Sequence, residues 1–284
     1  MYDAGSASEI GTSTPAMQRV RGAARIGFSQ VSGKTRLQDL YQSGSAKVRL
    51  PKTYDEPATA VLINTAGGLT GGDRLDYEVT IGAEAHAIVT TQAAERAYRS
   101  LGTCAEVTNR LSIDTGAALE WLPQETILFD NSSVSRKITA DLSGNARLLA
   151  LESVVLGRAA MGERLNKVFF KDCWRIRRDG QLVFADDVRL SGNPEDFFKG
   201  FATGDGDQAM ATLLDCCPDA EDRLAKARAS LVSLPHPAAQ CAASAWNGHL
   251  VIRFLAADSR ILRLLLMAFL EHYRSARLPR VWHC

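Results

Sequence analysis

The chain has 284 residues, 46% of them apolar, and a formal net charge of +1. That is enough chain for one large or two modest globular domains with a real core. The near-neutral charge excludes a bulk electrostatic case for nucleic acid or an anionic membrane. The longest apolar run, ILRLLLMAFL, contains Arg263 and is too short to span a bilayer.

Residues 1–18 have no apolar signal core and no early basic cluster. They are expected to be a disordered leader, with the cytoplasm as the default location. From Arg21 to Leu190 the pattern predicts strand after strand. GAARIGFSQVSG, TRLQDLYQSG and AKVRLP come first, divided by Gly-Ser turns. TAVLIN and LDYEVTI follow, on either side of a glycine-rich loop, then AHAIVTTQ, AEVTNRLSID, ALEWLP and TILFDN. SRKITADLSG and ARLLALESVVLG read as a hairpin about Ser143-Gly144-Asn145, and NKVFFKDCWRIRRDG with QLVFADDVRL as another about Asp179-Gly180. Turns every eight to twelve residues predict a mainly β fold of stacked sheets, a solenoid or sandwich.

The pattern then changes. NPEDFFKGF predicts a helix opening at Asn193 with Pro194 in its first position. GDGDQAMATLLDCC and PDAEDRLAKARASLVSL read as helical, and HLVIRFLAAD as a strand. RILRLLLMAFLEHYRSAR is expected to form a long helix capped by Ser259. Its broad apolar face is expected to pack on the sheet, while Leu264 and Met267 widen that face enough for a partner surface. With no linker in view, residues 19–284 read as one β-rich domain with a helical patch at about 193–275.

The glycine loop, Gly67, Gly68, Leu69, Thr70, Gly71 and Gly72, invites a nucleotide-binding reading. A Walker loop ends in Gly-Lys-Ser/Thr, whereas Asp73 and Arg74 follow here, and an acid at that point repels phosphate. A dinucleotide fingerprint opens a helix, whereas LDYEVTI alternates as a strand. These glycines are therefore read as a structural turn that lets another backbone approach.

Catalytic signatures are absent: there is no G-x-S-x-G, no H-E-x-x-H and no C-x-x-C. His86 sits in an alternating strand as a packing residue. The six cysteines, Cys104, Cys173, Cys216, Cys217, Cys241 and Cys284, are scattered, so disulfides are not expected. Carboxylates near turns stand out instead: Glu95, Glu125, Asp130, Glu152 and Glu163. They would suit transient contact with a divalent ion, and residue types alone also allow a two-carboxylate hydrolase. A third reading is a stand-alone metallochaperone using Cys216, Cys217, His236, His283 or Cys284.

Four segments, NTAGGLTGGDRL, TTQAAERAYRS, LPQETILFDNS and ESVVLGRAAMGE, resemble the urease accessory protein family UreD (UreH) in order and spacing. The stretch from Arg21 and the closing LPRVW are also similar to it, so the resemblance covers about Arg21 to Trp282. It implies a non-enzymatic role in urease maturation. Proteins of this kind join UreF and the GTPase UreG on apo-urease in a hetero-oligomeric, cytoplasmic complex that delivers nickel. It also implies a β-rich, solenoid-like fold with a polar internal tunnel, a nucleotide held by the GTPase partner, and no tightly bound cofactor. On that basis Asp73, Gln92, Glu95, Gln124, Glu125, Asp130 and Glu152 are expected to line the nickel path. The C-terminal helices at 219–230 and 260–274 and the loop at 157–163, with Arg158, Glu163, Leu266 and Met267, are expected to face UreF.

Overall fold

The computed structural model describes residues 19–52, 57–157, 165–234 and 238–284. The candidate leader, the expected contact residues Arg158 and Glu163, and the candidate metal ligand His236 lie outside these residues.

Seventeen strands among the described residues form two stacked sheets. The first contains β1 (Arg21–Val31), β2 (Lys34–Gly44), β5 (Arg74–Ile81), β8 (Ala105–Ile113), β11 (Ser133–Leu142), β13 (Val168–Arg178) and β14 (Gln181–Gly192). Its order is β14-β13-β11-β8-β5-β1-β2. The second contains β3 (Ala46–Arg49), β4 (Ala58–Asn64), β6 (His86–Thr91), β9 (Ala118–Leu122), β12 (Arg147–Leu156), β15 (Ala209–Cys216), β16 (Ala239–Trp246) and β17 (His249–Ala256). It runs β16-β17-β15-β12-β9-β6-β4-β3. Two short strands, β7 (Glu95–Ala97) and β10 (Thr126–Leu128), pair with each other, and β10 also pairs with the end of β12.

From β4 to β13 the chain alternates between the sheets, and each new strand lies parallel to the one a coil earlier. This is the stacked-coil, solenoid-like fold that the turn spacing predicts. Its interior is built in rows. Val79, Leu111, Ala140 and Ile176 stand side by side across β5, β8, β11 and β13. Ala60, Val89, Trp121, Ala150 and Leu214 face them from the second sheet. Period-two alternation puts these side chains on one face, and their burial drives the stacking.

Two expectations fail in an informative way. The turn at Ser143–Asn145 does not join a hairpin, because β11 lies in the first sheet and β12 in the second. β12 is buried on both faces, between β9 and β15 below the helices, so it reads as a continuous apolar run. The turn residues mark a reversal without specifying a pairing partner. AMATLLDC, expected to be helical, is strand β15, almost wholly buried between β12 and β17. Tertiary burial overrides the helix preference of Ala, Met and Leu. The hairpin at Asp179-Gly180 forms as expected, joining β13 to β14.

Helix α1 (Pro194–Phe198) is capped by the Asn193 side chain, which accepts from Glu195 N. Helices α2 (Leu224–Val232) and α3 (Ser259–Arg274) cover the outer face of the second sheet. The cap of α3 is Asp258, not Ser259: its carboxylate accepts from Ile261 N at 2.8 Å. Leu262, Leu266, Phe269 and Leu270 bury the inner face of α3 against Leu151, Leu213 and Ile252, forming a second core. Leu266 is therefore an interior residue, 2% exposed, and Met267 is half-buried, whereas Leu264 is 57% exposed. No helix among the described residues is long and apolar enough to cross a membrane.

The glycine loop links β4 to β5 across the two layers. Leu69 pairs with Ala97 beside β7, through Leu69 N to Arg96 O and Tyr98 N to Leu69 O, both 2.7 Å. A Cβ on Gly68 would fall on the Tyr98 ring, and one on Gly71 on Ser100 Oγ and the Thr103 carbonyl. The loop is glycine-rich because a second backbone passes against it. Gly71→Ala should destabilise the protein by about 2–3 kcal/mol, since backbone must shift to admit the methyl group. Gly67 has open space around its Cβ direction but a φ of 75°, so Gly67→Ala should cost less, about 1 kcal/mol. Urea denaturation of both variants measures the difference.

Candidate functional site

The inward rows turn polar at one end of the interior. On β8 the buried phase reads Ala105, Val107, Asn109, Leu111, Ile113. On β11 it reads Val134, Arg136, Ile138, and on β13 Phe170, Asp172, Trp174. On the second sheet Glu152 takes an inward position on β12. Asn109, Arg136 and Glu152 border a cavity of about 290 Å³ between the sheets. Tyr77, Asn109, Trp121, Arg136 and Glu152 line it, with Asn64 from the end of β4, Glu95 from β7, and Gln92 and Gln124 from the loops.

A charge-paired bridge spans the depth of the cavity. Arg136 donates from Nε and Nη2 to the two oxygens of Asp172 at 3.0 and 2.7 Å. Its Nη1 contacts Glu152 on the opposite sheet and donates to Thr126 Oγ1 at 3.2 Å. Trp121 Nε1 donates to Glu152 at 3.0 Å, and Trp174 Nε1 to Asp172 at 3.1 Å. All three charged side chains are at most 7% exposed. One cation thus serves two carboxylates in a buried setting. Burial pushes the Glu152 carboxyl up to about 7, Arg136 opposes the shift, and Asp172 adds to it. The guanidinium is held more firmly protonated by Asp172 and Glu152, against the cost of its burial.

Glu95 is half-buried on β7, and both its oxygens accept from Asn64 Nδ2 at 3.2 Å. Burial lifts its carboxyl to about 7 as well, with the Asn64 bond opposing. Asn109 is 2% exposed, and its Oδ1 has no hydrogen-bond partner among the described residues. The cavity thus combines two acids poised near neutrality with an uncommitted amide oxygen.

Of the seven expected path residues, Gln92, Glu95, Gln124 and Glu152 line this one cavity. Asp73, Glu125 and Asp130 are not among its lining residues. Asp73 fastens the glycine loop, accepting from Val20 N and Thr70 N, each at 2.8 Å. Asp130 accepts from Asn166 N at 2.7 Å and Lys167 N at 3.2 Å. Glu125 lies 3.3 Å from Arg263, which also donates to Gln124 Oε1 at 2.9 Å and Trp282 O at 2.7 Å. That cluster moors α3 and the C-terminal segment beside the cavity. Sequence reasoning missed Asn109, Arg136 and Asp172. The signal was present, since each interrupts the apolar phase of an alternating strand.

His86 is partly exposed and pairs with Glu120 at 2.9 Å. Among the described residues no three of His, Cys, Asp and Glu come together as a metal site. Cys216 and Cys217 are buried, and Cys217 Sγ donates to Asp215 Oδ1 at 3.2 Å.

Fold and cavity together define a stacked-coil β protein with a sheltered polar interior. Residues 20–283 match the sequence profile of the UreD urease accessory protein, and the chain belongs to that family. It is 42% identical to the urease accessory protein UreD of Azorhizobium caulinodans over 94% of this chain and 98% of that one. It is 45% identical to UreD of Rhizobium leguminosarum bv. trifolii, over 94% of this chain and 96% of the relative. With UreD of Xanthobacter autotrophicus the identity is 46%, over 93% and 90%. The family is one of urease maturation factors rather than enzymes.

Arg136→Met should destabilise the protein by about 3–5 kcal/mol at pH 8, because two carboxylates are left buried without their cation. The folded protein holds the Glu152 proton up to about 7, whereas an unfolded carboxyl releases it near 4.5. Stability from this group is therefore present below that range and falls as pH rises through 7. The variant's deficit should shrink at pH 5. Denaturant melts of wild type and variant at both pH values check the sign.

Proposed function

We propose that this chain is a scaffold in urease maturation that joins UreF and the GTPase UreG on apo-urease in the cytoplasm. In this reading it helps pass nickel toward the urease active site through its polar interior. The observation that carries the proposal is the cavity bordered by Glu95, Gln92 and Asn109 inside a chain of the UreD family. Carboxylate and amide oxygens offer a divalent ion replacement for part of its hydration shell. A conduit must also release its cargo, so dispersed oxygen donors suit it better than a closed cage of thiolate and imidazole. Nickel is cargo here, and no tightly bound cofactor is required. The GTP-binding loop belongs to UreG, in keeping with the structural role of the glycines at 67–72.

The cavity acids also bear on the hydrolase alternative. Glu152 is committed to Arg136 and Trp121, which leaves Glu95 without a second free carboxylate in the cavity.

Urease purified from cells expressing the whole accessory set, with and without this chain, tests the maturation role. Nickel-poor, inactive urease only in its absence is the expected result; equal nickel and activity would overturn it. The path is tested by Glu95→Lys at the partly exposed rim. The variant should assemble normally yet leave urease poor in nickel, because a fixed ammonium repels the ion.

The partner surface calls for a different substitution from the one the bare sequence suggests. Leu266→Asp would place a charge in the second core and unfold it. Leu264→Asp changes an exposed point on α3 and should weaken co-purification with UreF by about tenfold or more while leaving the thermal melt unchanged. Undiminished co-purification would remove α3 from the interface.

A further inference from the structure

A second cleft, of about 370 Å³, lies on the far side of the second sheet from the cavity, where β9 and β12 begin and α2 and α3 close over them. Arg147, Arg223, Lys226, Arg274, Glu120 and Asp215 supply its charged lining. The acids are already engaged. Glu120 faces His86 through Oε1 and accepts from Arg274 Nε through Oε2. Burial is the largest single influence on its carboxyl and raises it, but these partners together outweigh it and hold the carboxyl below the usual range. Asp215 accepts from Tyr273 Oη at 2.6 Å, Arg223 Nη1 at 2.8 Å and Cys217 Sγ at 3.2 Å.

The cations are not all spent. Lys226 uses two of its three donors, on Tyr273 O at 2.8 Å and Ser275 Oγ at 3.3 Å. Arg147 is 46% exposed, and its charged contact among the described residues is Asp219 Oδ1, 3.0 Å from Nη2. That contact lacks hydrogen-bond alignment, since Asp219 Oδ1 has no hydrogen-bond partner. The other oxygen of Asp219 accepts from Arg223 Nη2 at 3.1 Å and Nε at 3.3 Å. The Asp219 carboxylate therefore spans two guanidiniums that line the cleft, its own side chain 42% exposed. Four cations face three carboxylates, and Arg147, half-exposed, already lines the cleft beside its contact with Asp219.

We propose that this cleft is an oxyanion site, taking one carboxylate or phosphate group between Arg147, Arg223 and Lys226, with Asp219 as its built-in competitor. The planar fork of an arginine matches two oxygens of such a group, and a lysine beside it adds a point charge. The cleft shares no lining residue with the cavity between the sheets, whereas Arg223, Lys226 and Arg274 fall within the helical segments expected to face UreF.

The test titrates the full-length chain with inorganic phosphate at constant ionic strength, with chloride as the control, by isothermal calorimetry. Saturable one-to-one binding is expected. Arg147→Gln should weaken it by about tenfold, the worth of one charge-assisted pair. Asp219→Asn should tighten it, because the competing charge is gone while the fold is kept. A purely structural salt bridge predicts that Asp219→Asn either leaves binding unchanged or weakens it. Binding no stronger than the chloride control, or equal affinity in all three proteins, would overturn the proposal. Repeating the titration on the assembled accessory complex separates the sources. Lost phosphate binding identifies a partner's carboxylate as the natural occupant, and retained binding identifies a free anion.

Discussion

The guanidinium of Arg136 is the charge that the two sheets share. It leaves β11 of the first sheet, grips Asp172 on the neighbouring strand, and reaches Glu152 on β12 of the second. A buried cation with two carboxylates is weak as net stabilisation but hard to remove in part, because each survivor is left charged and dry. It stands where the interior opens into the cavity. Beyond Val79, Leu111 and Ala140 the next row on these strands is Tyr77, Asn109 and Ile138, and the one after it Leu75, Val107 and Arg136, where the sheets enclose space rather than close contact.

The rest of the interior follows from that boundary. Glycines at 67–72 admit the β7 backbone, which brings Glu95 to the cavity rim. Gln124 and Glu125, just before β10, tie the cavity wall to Arg263 of α3, and Trp282 closes the same cluster by donating to Thr90 Oγ1 at 3.1 Å. The helical patch is thus not an appendage. Its inner face completes a second core, and its ends reach both the cavity wall and the basic cleft.

Much of this was legible in the chain. Alternation in LDYEVTI and the turn spacing placed the strands, the Asp73-Arg74 sequel to the glycines argued against a phosphate loop, and four ordered segments pointed to the family. Four of the seven expected path residues do meet at one cavity. The misses have a common cause. Asp73 and Asp130 looked like free acids because sequence does not show which backbone amides a carboxylate will cap. Leu266 looked like surface because a wide apolar helix face can meet a sheet or a partner equally well, and the covering sheet is distant in sequence. β15 looked helical because burial on both faces erases the period that distinguishes strand from helix.

By itself, then, the sequence determined the mainly β composition, the positions of the reversals, the glycine requirement between β4 and β5 and the family. These are local properties, written in period two, in turn residues and in motif order. Only the tertiary structure decided that β11 and β12 part into different sheets, that Arg136 lies between Asp172 and Glu152, and that Arg147 and Arg223 flank Asp219 beside a second cleft. Those arrangements depend on which coil stacks on which. Stacking is settled by the burial of whole rows of side chains, to which each strand contributes one or two residues.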